Sequence, residues 1–155
     1  MTRQNVIALI LAGGQGKRLW PLSTRERPKQ FCNLIDVKSM LQLTVDRIVD
    51  LIPMDRIFVC TASGYVKLVT KQLPDLPEKN IIIEPFGKNT AAAIAYSNLI
   101  MDLRFPDAVS VVLSADHYIN GMDAFHDAIM EGVDLAGKSN RALDSLGIVP
   151  IRPHT

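Results

Sequence analysis

The sequence predicts an α/β domain built on a mainly parallel sheet. Short, continuous apolar runs recur along the chain, and longer stretches with apolar residues at helical spacing lie between them. The segments directly after the runs are rich in glycine or polar residues. A run without polar alternation suits a strand covered on both faces, as in a parallel sheet flanked by helices. Repeated strand–helix alternation then implies right-handed crossovers.

Val6 to Leu11 is the first run, ended by Gly13-Gly14. Arg3 ahead of it gives a superficial likeness to a signal peptide. The run is far shorter than the roughly 20 residues that span a bilayer. A buried first strand explains it, and the expectation is a cytoplasmic protein. Leu41, Val45, Ile48 and Ile52 then mark a helix, with Ser39 as a candidate N-cap. Ile57 to Thr61 is the second run, followed by a helix over 65–73. Ile81-Ile82-Ile83 is the third, followed by a helix over 91–103 whose small residues permit close packing on a sheet. Val109 to Leu113 is the fourth, followed by an apolar stripe of Phe125, Ala128, Ile129, Val133 and Ala136. Leu146 to Val149 is a weaker fifth.

The chain has 155 residues, 48% hydrophobic and 21% charged, which fits one globular domain rather than a disordered segment. Its net charge of +1 gives no argument for nucleic acid or an anionic membrane as partner. An anionic ligand must be met by locally placed charge. Cys32 and Cys60 fit no zinc or redox spacing and read as ordinary thiols.

Ligands of an open parallel sheet bind beyond the carboxyl ends of its strands, so the segments after the runs are where chemistry is expected. Leu11-Ala12-Gly13-Gly14-Gln15-Gly16-Lys17-Arg18 leaves the first strand. Its glycines permit a sharp turn and close approach of backbone N–H groups to phosphate oxygens. Lys17, Arg18 and, further on, Lys29 add positive charge. Glu84-Pro85-Phe86-Gly87-Lys88-Asn89-Thr90 leaves the third strand, where Asn89 or Thr90 can cap the next helix. Ser114-Ala115-Asp116-His117 leaves the fourth. A carboxylate there needs a partner to offset desolvation, and a hard cation such as Mg²⁺ beside phosphates is one. A capping role is the alternative for Asp116.

Leu11-Ala12-Gly13-Gly14-x-Gly16-x-Arg18-Leu19-x-Pro21-Leu22, with Arg27-Pro28-Lys29, resembles the signature of sugar-nucleotide pyrophosphorylases. The spelling Trp20-Pro21-Leu22-Ser23 with Pro28-Lys29-Gln30-Phe31, and the segment Glu84 to Ala95, resemble the mannose-1-phosphate guanylyltransferase branch. The resemblance implies a Rossmann-like nucleotide-diphospho-sugar transferase fold that converts GTP and mannose 1-phosphate into GDP-mannose and pyrophosphate. By it, Leu11, Ala12, Gly13, Gly14 and Gly16 wrap the nucleotide, and Glu84, Pro85, Asn89 and Thr90 surround the guanosine. Arg18 meets the triphosphate, Lys29 meets phosphate near the reacting centre, and Asp116 binds Mg²⁺. His117 is a structural neighbour and Trp20 a packing residue.

The resemblance covers residues 1–155 as the N-terminal, nucleotide-binding portion of the family's catalytic domain. The family's further sugar pocket and second metal-binding aspartate have no counterpart in it. It therefore implies an incomplete catalytic unit, weak binding of GTP–Mg²⁺ and some self-association. A pyrophosphorylase for another sugar nucleotide and a non-catalytic nucleotide-binding fragment are the competing readings. Gly132 to Ser139 matches the P-loop pattern letter for letter, but it ends a helical stripe instead of following a strand, so a P-loop ATPase is not expected.

Overall fold

The computed structural model describes residues 5–14, 21–85, 89–139 and 148–150. Strands β1 (Val6–Leu11), β2 (Ile57–Thr61), β3 (Ile81–Ile83), β4 (Val109–Ser114) and β5 (Ile148–Pro150) form one sheet. Helices α1 (Met40–Asp46), α2 (Val66–Gln72), α3 (Thr90–Asp102) and α4 (Met122–Ser139) connect successive strands.

The strand order is β3-β2-β1-β4-β5, with β1 at the centre. β1 pairs in parallel with β2 (Leu9 opposite Phe58) and with β4 (Leu9 opposite Val112), and β2 with β3. β5 runs antiparallel to β4, so the sheet is mixed at that edge. Both faces are buried, which is why the strands read as unbroken apolar runs. Ala8, Ile10, Val59 and Val111 pack with Leu41, Val45, Val69 and Val133 of α1, α2 and α4. Ile7, Leu9, Phe58 and Val112 point the other way, onto Ala93 and Met101 of α3.

Ser39 caps α1 as expected, and Gln42 completes a capping box: the Gln42 amide donates to Ser39 Oγ (3.2 Å) and the Ser39 amide to Gln42 Oε1 (2.9 Å). The helix nevertheless stops at Asp46, short of the expected stripe through Ile52. The Arg47 carbonyl is taken by His126 Nε2 of α4 at 2.6 Å, and the Leu51 amide bonds Ile48 O instead. Ile48 and Ile52 stay buried in the turns that follow, so helical spacing survives without a continuous helix. The P-loop-like segment 132–139 is helical throughout, inside α4. No helix among the described residues is long and apolar enough to cross a membrane.

Candidate functional site

β1, β2, β3 and β4 all end on one edge of the sheet, and a cleft of about 440 Å³ opens there. Its walls combine the end of β1 and its loop (Leu11, Ala12, Gly13, Gly14), Glu84 after β3, and Asn89 and Thr90 at the start of α3. Lys29 and Asp116 form an ion pair in its lining. A larger hollow of about 710 Å³ lies at the opposite edge, lined by Asn5, Pro53, Arg56 and Ile129. It lies away from the carboxyl ends where an open parallel sheet binds ligands.

The three segments that the sequence singled out therefore converge. Lys29 sits in a short 3-10 turn (Lys29–Phe31), fixed by insertion of the fully buried Phe31 between α1 and Tyr65. Its Nζ lies 3.3 Å from Asp116 Oδ2, although 87 positions separate the two in sequence. Asp116 Oδ1 accepts a bond from the Ser114 hydroxyl, and His117 Nε2 is 4.0 Å away. Burial pushes the Asp116 pKa up, but Ser114, Lys29 and His117 outweigh it, and the net position is below the ordinary aspartate value. The carboxylate is ionised at neutral pH and 40% exposed, open to a ligand.

The Glu84 carboxylate reaches back to the glycine loop. A Cβ added at Gly13 would stand 2.8 Å from Glu84 Oε2, so glycine here permits the close approach. Asn89 Oδ1 accepts from the Ala91 amide (3.4 Å) and is the cap of α3, while Thr90 is its first residue. Pro85 follows Glu84 but is exposed and outside the cleft lining. Gly16 and Arg18 lie outside the described residues, as do Lys17 and Trp20. The His117 ring is exposed, and its carbonyl accepts from the Arg47 guanidinium at 2.8 Å. Arg47 is buried with no carboxylate partner among the described residues.

Four lining residues carried no expected role: Gln30, Cys60, Ala93 and Ser114. Cys60 ends on the same edge as the glycine loop, and strand position alone would have marked it. Burial pushes its thiol pKa up, the nearby Glu84 carboxylate adds to this, and the Ser97 hydroxyl opposes it. Gln30 is buried and donates from Nε2 to the carbonyls of Ala12 (2.8 Å) and Gly14 (2.9 Å). Its place directly after Lys29, within the Pro28-Lys29-Gln30-Phe31 spelling, was the hint in the sequence.

The donor set bears on Mg²⁺. No cluster of three or more His, Cys, Asp or Glu side chains occurs among the described residues, so no all-protein cage is present among them. One carboxylate shared with ligand phosphates is a mode Mg²⁺ favours, and Asp116 suits it.

A family described as nucleotidyl transferase matches residues 7–155. The chain is 41% identical over 152 residues to a mannose-1-phosphate guanylyltransferase of Escherichia coli, covering 97% of this chain and 32% of that protein. The same identity and coverage hold for a mannose-1-phosphate guanylyltransferase of Klebsiella pneumoniae. It thus spans about a third of the length of these relatives. A crystal structure from Thermus thermophilus, named mannose-1-phosphate geranyltransferase, superposes with a TM-score of 0.77 at 31% identity. The match covers 86% of this chain and 38% of that one.

Proposed function

The chain belongs to the nucleotidyl transferase family, and from that premise we propose that its cleft binds the GTP of a mannose-1-phosphate guanylyltransferase reaction. The observation that carries this is the meeting of Gly13-Gly14, the Lys29–Asp116 pair, Glu84 and the start of α3 in one cleft. Backbone amides of the glycine loop and the Lys29 ammonium meet phosphate oxygens. The start of α3, a 13-residue helix, adds positive potential. Glu84 supports guanine, because N1–H and the 2-amino group offer two adjacent donors to a carboxylate. Uracil and thymine offer one N–H flanked by carbonyl oxygens that a carboxylate repels.

In this reading the phosphate of mannose 1-phosphate attacks the α-phosphorus of GTP and pyrophosphate leaves. The protein needs no nucleophile of its own. Its work is to align two anions and offset their charge. Lys29, and by resemblance Arg18, do so at the phosphates. Asp116 would hold Mg²⁺, which supplies charge neutralisation across the nucleotide phosphates when bound. The free, buried cysteines suit a reducing cytoplasm.

Fusing the chain to the remainder of its Escherichia coli relative tests the assignment. Pyrophosphate release is expected with GTP and mannose 1-phosphate, and binding to the unfused chain should be competed best by GTP. A preference for UTP or dTTP would overturn the guanine assignment. The Lys29→Met substitution in the fusion should lower kcat/KM by about 10²-fold or more if Lys29 stabilises developing charge.

A further inference from the structure

The glycine loop does not hold its shape alone. The carbonyl of Ala12 receives two side-chain bonds, from Gln30 Nε2 at 2.8 Å and Thr61 Oγ1 at 2.9 Å. Gln30 Nε2 also bonds the Gly14 carbonyl at 2.9 Å. One amide group therefore uses both hydrogens on carbonyls of alternate loop residues, from a side chain that is 4% exposed. In a planar trans peptide the N–H points opposite to the C=O. Fixing Ala12 O toward Gln30 and Thr61 thus turns the Gly13 N–H away from both. That amide donates to no group among the described residues.

Gln30 shares its turn with Lys29. One side chain of this turn reaches the β1 loop and the neighbouring one reaches Asp116 after β4. We propose that Gln30 is a positioning residue: by holding the Ala12 and Gly14 carbonyls it presents the loop's backbone amides to a polyphosphate, in register with the Lys29–Asp116 pair. A polyphosphate, unlike a nucleoside, depends on those amides. The inference rests on the reading of the cleft as a polyphosphate site but not on which base is bound.

The test uses the 155-residue chain with two substitutions. Gln30→Glu keeps the shape but places an acceptor against two carbonyls. Gln30→Met keeps the length without a polar group. Three probes are titrated by calorimetry in the presence of Mg²⁺: GTP, inorganic tripolyphosphate and guanosine. Amide spectra of Gly13 and Gly14 are compared in the ligand-free state.

Loss of a buried hydrogen-bond donor is expected to weaken GTP and tripolyphosphate about tenfold or more in both variants, with guanosine changed less than about twofold. The Gly13 and Gly14 resonances should shift before any ligand is added. Equal weakening of guanosine would show a general structural role and overturn the proposal. So would unchanged tripolyphosphate affinity, unshifted glycine amides, or a wild-type chain that binds no polyphosphate. Tripolyphosphate binding that depends on Gln30, without a preference for GTP over UTP, would leave Gln30 its role and remove the guanine assignment.

Discussion

Two side chains set the charge of the cleft. The Asp116 carboxyl is held below its ordinary pKa. Its favourable pairing is therefore fully present above the unfolded value of about 3.9 and is lost as pH falls through the lower folded value. Stability from this pair is accordingly flat from neutral to mildly acidic pH. A carboxyl titration followed by NMR should give Asp116 a midpoint below that of an exposed aspartate, and Ser114→Ala should raise it. The Cys60 thiol is shifted the other way and is buried. Native protein at about pH 8 should react slowly with a thiol reagent, and both cysteines should become titratable on unfolding in urea. Fast labelling of Cys60 in the folded state would contradict its burial. Asp116 was legible in the sequence because a carboxylate just beyond an apolar run is costly without a partner, and Lys29 because the Arg27-Pro28-Lys29 spelling resembles the family's. Gln30, Ser114 and Arg47 were not. Gln30 and Arg47 bond backbone carbonyls distant in sequence, and Ser114 bonds a carboxylate two residues on. No periodicity records such bonds.

Among the elements, the 3-10 turn Lys29–Phe31 matters most for its size. Phe31 is fully buried against Tyr65, with ring centroids 5.7 Å apart. Phe31→Ala should cost about 3–5 kcal/mol in urea unfolding and displace the two residues before it. A loss under about 1 kcal/mol would mean that the turn is not anchored by packing. In α4, Lys138→Ala should leave nucleotide binding unchanged, because its segment is helix interior and end, away from the cleft. The central strands were readable, since burial on both faces makes the β1, β2 and β4 runs almost continuously apolar. Helix extent was less so: α1 ends early where the Ile48 amide bonds the Val45 carbonyl in a tighter turn, a local choice that apolar spacing does not record.

For the whole molecule, β1 stands at the centre of the sheet and, like β2 and β4, feeds both layers of core, sending Ile10 to one and Leu9 to the other. Ile10→Ala and Leu9→Ala should each cost about 2–5 kcal/mol and lower the same single thermal transition, as for one cooperative domain. Two separated transitions would show that the faces fold independently. The parallel core was predictable from the spacing of runs and helices. The reversed direction of β5 was not, since strand sense at an edge depends on where the chain re-enters the sheet. The central placement of β1 also has a consequence for synthesis. Its first neighbour, β2, follows within about fifty residues, but β4 comes roughly a hundred later, and pairings so distant are slow to form. On the ribosome the emerging β1 must therefore wait with one long edge bare, and the cleft at its carboxyl end cannot close until Asp116 has left the exit tunnel.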